Sequence, residues 1–186
     1  MGVPSGYTSA QVVQAVPTGI NSALVCVKAE TAFSAVTSVT ADNVFTSSYT
    51  NYLIFLSATG TGSNQIFFQL RASGVTAATN YNEQRFTSSS TTNTGGRLSS
   101  QTSLQVASVR SGLKISSSFL VLGPQLADVT NVYANSTDYS GAVVTAPTVD
   151  IFSSNHSTAT AYDGFILTVA AAMTGSYAVY GYSKTV

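Results

Sequence analysis

The sequence predicts an all-β protein, an antiparallel β-sandwich of roughly ten strands occupying residues 21–186, preceded by an N-terminal arm over residues 1–20. Three observations lead there. Apolar residues alternate with polar or small ones at period two along much of the chain, the pattern of strands that bury one face. Turn sequences rich in Gly, Ser and Asn recur at intervals of about 8–12 residues, as sandwiches and barrels require. No amphipathic helical segment of useful length competes with these signals.

Taken in order, the arm is the one ambiguous segment. Thr8 to Val16 suits an extended arm lying on a neighbouring subunit, or a short helix capped by Thr8 and ended by Pro17. Val12, Val13 and Val16 would share one face, and with Ile20 they are the candidate contacts to a neighbouring subunit or other partner. Strands are then expected over Ala23–Lys28, Phe33–Val39 and Asn51–Ser57. Gly60-Thr61-Gly62-Ser63-Asn64 reads as a hairpin loop leading to Gln65–Ala72, because Gly supplies the positive φ of a tight reversal. There Ile66, Phe68, Leu70 and Ala72 share a face, and Phe67 is the exception among the outward residues. Tyr81–Thr87 is the next strand, and the biased run Thr87–Gly96 reads as a long solvated loop, with hydroxyls that offer a contact surface for sugar or protein as the alternative. Thr102–Val109 follows. In Leu113–Val121 the residues Leu113, Ile115, Phe119 and Val121 face one way, opposite Lys114, Ser116 and Ser118. Val143–Phe152, Gly164–Val169 and a last strand alternating Tyr177, Val179 and Gly181 complete the set. Ser111-Gly112, Gly95-Gly96 and Thr174-Gly175 read as punctuation.

Charge and composition restrict the function. Of 186 residues only fourteen are fully charged, seven basic and seven acidic, and the 8 % total compares with a usual value of about 25 %. Ser and Thr together number fifty-three. The basic residues are scattered singly, whereas nucleic acid binding needs a clustered patch to neutralise phosphates; no nucleic acid partner is expected. The longest apolar stretch, Phe165 to Met173, is far short of the ~20 residues that span a bilayer, so no membrane segment is expected. Met1 to Tyr7 has neither a basic segment nor an apolar run, so no export signal is expected either. Ten Tyr and nine Phe argue for a folded chain despite the hydroxyl-rich composition.

Catalytic material is thin. His156 is the sole histidine; a Ser-His-Asp site would have to pair it with Asp150 or Asp163, and no G-x-S-x-G elbow is present. Its context, Ser153-Ser154-Asn155-His156-Ser157-Thr158, reads as an exposed turn. Acidic residues form no adjacent pair and no D-x-D motif, leaving little for glycoside hydrolysis or a calcium loop. Cys26, the only cysteine, reads as a small apolar strand residue beside Val25 and Val27. No cofactor, metal or enzymatic activity is expected. The tyrosines, including Tyr133 and Tyr180, offer apolar area with a polar tip that suits interfaces and sugar stacking.

Several stretches carry a resemblance. Val44-Phe45-Thr46-Ser47-Ser48-Tyr49-Thr50-Asn51-Tyr52, Ile66-Phe67-Phe68-Gln69-Leu70-Arg71-Ala72-Ser73-Gly74 with Asn80-Tyr81, and Asp163-Gly164-Phe165 followed by Tyr180-Gly181-Tyr182 are similar to a family of small β proteins of tailed bacteriophages. These occur as capsid decoration proteins or as tail-fibre and tail-tip domains. The likeness covers most of the chain from about Val44 onward and leaves out the residues before about Ile20. It implies a jelly-roll-like fold, a place on the outer surface of the virion, and homo-oligomers, often trimers. It implies partners such as the major capsid protein, and no catalytic signature comes with it. The expected function is therefore a non-enzymatic capsid decoration (cement) protein. The alternative is a tail-fibre or tail-tip receptor-binding module that recognises a host surface glycan.

Overall fold

The computed structural model describes residues 23–139 and 147–183. They form eleven strands and no helix: β1 Leu24–Ala41, β2 Tyr49–Gly60, β3 Asn64–Ala72, β4 Val75–Thr76, β5 Tyr81–Ser89, β6 Thr92–Gln101, β7 Leu104–Val109, β8 Lys114–Leu122, β9 Thr130–Tyr139, β10 Pro147–His156 and β11 Gly164–Ser183. The expected all-β, antiparallel, sandwich-like architecture is what the chain adopts. One continuous sheet runs in the order β4-β3-β11-β2-β8-β9-β10-β5-β6, with β1 on β11 and β7 on β3, and every ladder between named strands is antiparallel.

β11 makes this sheet fold back on itself. Its first part, Gly164–Val169, pairs with β3, and its second, from Met173 to Ser183, pairs with β2 along the same edge. Its other edge carries β1 over the whole length, through four register shifts. The strand thus belongs to two wings, a broad one (β2-β8-β9-β10-β5-β6) and a short one (β3, β4, β7). β7 lies across β8, β9, β10 and β5, and Ser117 Oγ donates to the Val106 carbonyl at 2.8 Å, tying the wings together.

Two expected turns prove to be strand interior. Thr174-Gly175 lies inside β11, and a Cβ on Gly175 would sit 2.0 Å from the Ser57 carbonyl oxygen, so glycine is there for close backbone approach instead of a reversal. Gly95-Gly96 lies inside β6. Gly60–Asn64 is not a hairpin loop, because β2 and β3 do not pair; both line up on β11. The loop expected over Thr87–Gly96 is a tight hairpin in which Ser89 faces Thr92 and Ser90 takes φ 55°. The segments Ala23–Lys28 and Phe33–Val39 are one bulged strand, β1.

The core follows the period-two pattern. Ile66, Phe68 and Leu70 are fully buried, as are Ile115, Phe119 and Val121 opposite them. Phe68 stacks on Phe165 at 5.5 Å and meets Phe119 edge-on at 5.9 Å. One end is plugged by Phe45, 4.8 Å from Tyr52 and held where Val44 and Phe45 both donate backbone N–H groups to the Asp163 carbonyl at 2.9 Å. Tyr81 closes the neighbouring corner, its hydroxyl accepting from Leu70 N at 2.8 Å and donating to Ala77 O at 3.0 Å.

Candidate binding surfaces

The inner face of the broad wing changes character along its length. Near Tyr81 it is aromatic, but further along β8, β9, β10 and β5 the register sets Ser117, Ser136, Asp150 and Thr87 side by side, with Asp138, Thr148 and Ser89 in the next row. Ser117, Ser136, Asp138, Thr148 and Asp150 are all buried. Thr87 Oγ1 donates to Asp150 Oδ1 at 2.6 Å, and the Arg110 guanidinium stands 3.3 Å from Asp138 Oδ2 without hydrogen-bond alignment. Burial holds the Asp138 carboxyl above the usual carboxylate range; Arg110 opposes that rise and Asp150 adds to it.

His156 corrects the sequence reading. It is a buried residue of β10, not an exposed turn, with its ring 4.4 Å from that of Tyr81 and Nδ1 3.0 Å from the Tyr162 hydroxyl. Burial lowers its pKa, and interactions with the backbone of Thr79 and Thr158 pull the other way. The two aspartates that a triad would require are engaged elsewhere: Asp150 with Thr87, and Asp163 Oδ2 with the backbone N–H of Ser73 at 2.9 Å. Among the described residues no group of three or more His, Cys, Asp or Glu side chains could hold a metal ion. Cys26 lies in β1, as expected, with its residue exposed.

The opposite, outward face of the broad wing is the larger chemical feature. Register builds four rows across it. Asn82, Asn155 and Asn131 form an amide ladder, with Asn82 Nδ2 donating to Asn155 Oδ1 at 2.9 Å. Beside it run Gln84, Ser153, Tyr133, Leu120 and Leu53; then Phe86, Ile151, Asn135, Ser118 and Phe55; then Ser88, Val149, Thr137, Ser116 and Ser57. None of these side chains is charged; the charges of this face lie at its margins, Arg97 of β6 opposite Gln84 and Lys114 of β8 one row beyond Ser116. Phe55, Phe86, Tyr133, Val149 and Ile151 expose 46, 42, 45, 45 and 44 % of their surface, and Phe55, Asn135 and Val149 border a depression of about 450 Å³. The edge beside this face is β6, ten mostly exposed residues that among the described residues pair only with β5.

The sequence-predicted contacts Val12, Val13, Val16 and Ile20 lie outside the described residues, as does the 1–20 arm. The rows of the outward face escaped the sequence reading, although a signal existed: Phe86, Val149 and Ile151 are apolar at positions whose parity matches Asn82, Gln84, Ser153 and Asn155. Comparison of the chain with protein-family models, curated proteins and solved structures finds no match.

Proposed function

We propose that this protein is a non-enzymatic structural protein of a tailed-phage virion, most simply a decoration or cement protein on the outer surface of the capsid. In this reading it packs against copies of itself, as a trimer, and against the major capsid protein. The observation that carries it is the set of uncharged rows on the outward face, with five large side chains exposed by more than two fifths. A contiguous apolar patch rimmed by hydroxyls and amides is unusual on an isolated protein and suits an interface. The open β6 edge adds a second surface that subunit pairing would cover. Many modest contacts repeated by symmetry would bind a shell through avidity, with the Val12, Val13, Val16 and Ile20 arm as a further contact.

The test is a copy count by electron microscopy of particles carrying the protein. Density on capsid symmetry axes in hundreds of copies is expected; density confined to the tail would reject the cement role. That second outcome would favour the other reading, a tail receptor-binding module for a host glycan. The ladder of Asn82, Asn155 and Asn131 beside Tyr133 supports it, since amides and an aromatic ring are what neutral sugars bind. An adsorption assay separates the two, because a pure cement protein binds no host cell.

A further inference from the structure

The uncharged rows of the outward face extend to the strand with which the described residues begin. Beyond Gln84, Ser153, Tyr133, Leu120 and Leu53 the same row continues through Tyr180 of β11 to Cys26 of β1, and Leu24 stands opposite Tyr182 on that face. Ser183 N–H donates to Ala23 O at 3.1 Å, so the backbone is still held to the sheet edge one residue before β1. β1 starts at the level of Tyr182 and runs toward that of Tyr177, passing Ala178, the partner of Phe55. The backbone thus enters from beyond one end of the face. A segment upstream of Ala23 would have to reverse over Leu24 to cover its own Phe55; continued in line, it leaves its own body toward a neighbour.

The face has seats for such a segment. Ser116, Ser118 and Thr137 lie between the taller Phe55 and Val149, and this difference in height makes the depression of about 450 Å³. On the other side of Phe55, toward β1, a second depression of about 240 Å³ lies against Ser57, Ser176, Ala178 and Tyr180. Phe55 is a ridge between the two hollows, braced edge-on by the Tyr180 ring at 5.8 Å. Glu30 borders the second hollow, and its Oε1 already accepts from Ser176 Oγ at 2.6 Å. Hollows flanked by aromatic and aliphatic side chains hold apolar anchors well. Residues 1–22 supply anchors in Val12, Val13, Val16 and Ile20, interspersed with Gln11, Gln14, Thr18 and Asn21, and contain no Asp, Glu, Lys or Arg. Docking would therefore strand no charge on either side. Reach is sufficient. Val16 and Val12 precede Leu24 by about 26 and 40 Å of extended chain at roughly 3.3 Å per residue, against about 34 Å across the strands from β1 to β6 at roughly 4.8 Å each.

We propose that residues 1–22 of a second copy cover these rows, seating Val12, Val13 and Val16 in the hollow between Phe55 and Val149. The inference rests on the reading of the outward face as an interface between copies and names what fills it. Passed from each copy to the next, the arm makes a head-to-tail contact of the kind that closes cyclic oligomers.

The test uses the full chain with Val16→p-benzoylphenylalanine, mixed as isotopically light and heavy copies, irradiated and mapped by mass spectrometry. Cross-links to the peptides that hold Phe55 or Val149 are expected, joining light chains to heavy. Val149→Lys should lower their yield about tenfold, because a lysine covered there has no partner. Val13→p-benzoylphenylalanine replaces the first variant if that one does not assemble. In light scattering, Val12→Asp, Val13→Asp and Val16→Asp together should reduce the assembly to single chains. Cross-links confined to copies of one label would mean that each arm covers its own body, and would overturn the exchange; so would a full chain that is monomeric and gives no cross-link. An assembly that survives the three aspartates but not Val149→Lys has another occupant on this face, which rejects the arm and leaves the interface reading intact. One that survives both sets of changes rejects the two together.

Discussion

Buried titratable side chains give this protein a pH response that can be dissected residue by residue. His156 has a pKa below its ordinary 6.5 because burial disfavours the cation. The unfolded chain therefore takes up the proton first as pH falls, and stability is lost below about 6.5. His156→Gln should flatten that loss: the gap in thermal midpoint between wild type and variant narrows from pH 7 to pH 5, measured by calorimetry. Glu83 acts in the opposite sense. Burial raises its pKa above the ordinary 4.5, against the Gln105 N–H and Arg85, so the folded state holds the proton longer and stability falls as pH rises from about 4.5. Glu83→Gln should therefore gain on the wild type between pH 4 and pH 7. The inverted environment of His156 also explains why the sequence hid it. The inward positions of β10 are Thr148, Asp150, Phe152, Ser154 and His156, so the strand presents a mostly polar inner face and its end resembles a turn.

At the scale of elements, a positive φ and a glycine have different causes in a turn and in a strand. Ser90 sits at φ 55° in the β5–β6 hairpin, a conformation that costs a residue with a Cβ about 1–2 kcal/mol. Ser90→Gly should raise stability by about 0.5–1 kcal/mol in urea unfolding. Gly175→Ala should do the reverse, by about 1–3 kcal/mol as an overpacking substitution, because its Cβ would meet the Ser57 carbonyl. These cases mark where the sequence was legible. Strands with apolar inner faces, such as β3 and β8, stand out from alternation alone. β9 does not, because its inward set of Thr130, Val132, Ala134, Ser136 and Asp138 turns polar halfway. β6 does not either, since both its faces are largely exposed and its Thr and Gly residues carry no burial signal. Gly175 does not announce from sequence that a partner strand approaches closely, because Ser57 is distant along the chain.

For the whole molecule, the composition finds its meaning in the outward face. The rows that carry the exposed aromatic and aliphatic side chains hold no charge, so association through them should survive salt. If subunits or shell proteins pack there, the assembly should keep the same mass in light scattering between roughly 0.05 and 1 M NaCl, a range over which the screening length shrinks from beyond 10 Å to about 3 Å. Ile151→Lys, which puts a charge in the middle of the rows while leaving the core untouched, should dissociate it.

The dual membership of β11 has a kinetic consequence. Among the described residues β1 has no other neighbour, and β2 and β3 each receive one of their edges from β11, yet β11 follows all three in the chain. Until residues 164–183 leave the ribosome, three long strands wait with unsatisfied backbone groups. Such long-range pairing folds slowly, so nascent chains halted before Gly164 should be captured by chaperones or aggregate, and adding the missing segment as a separate peptide should rescue them.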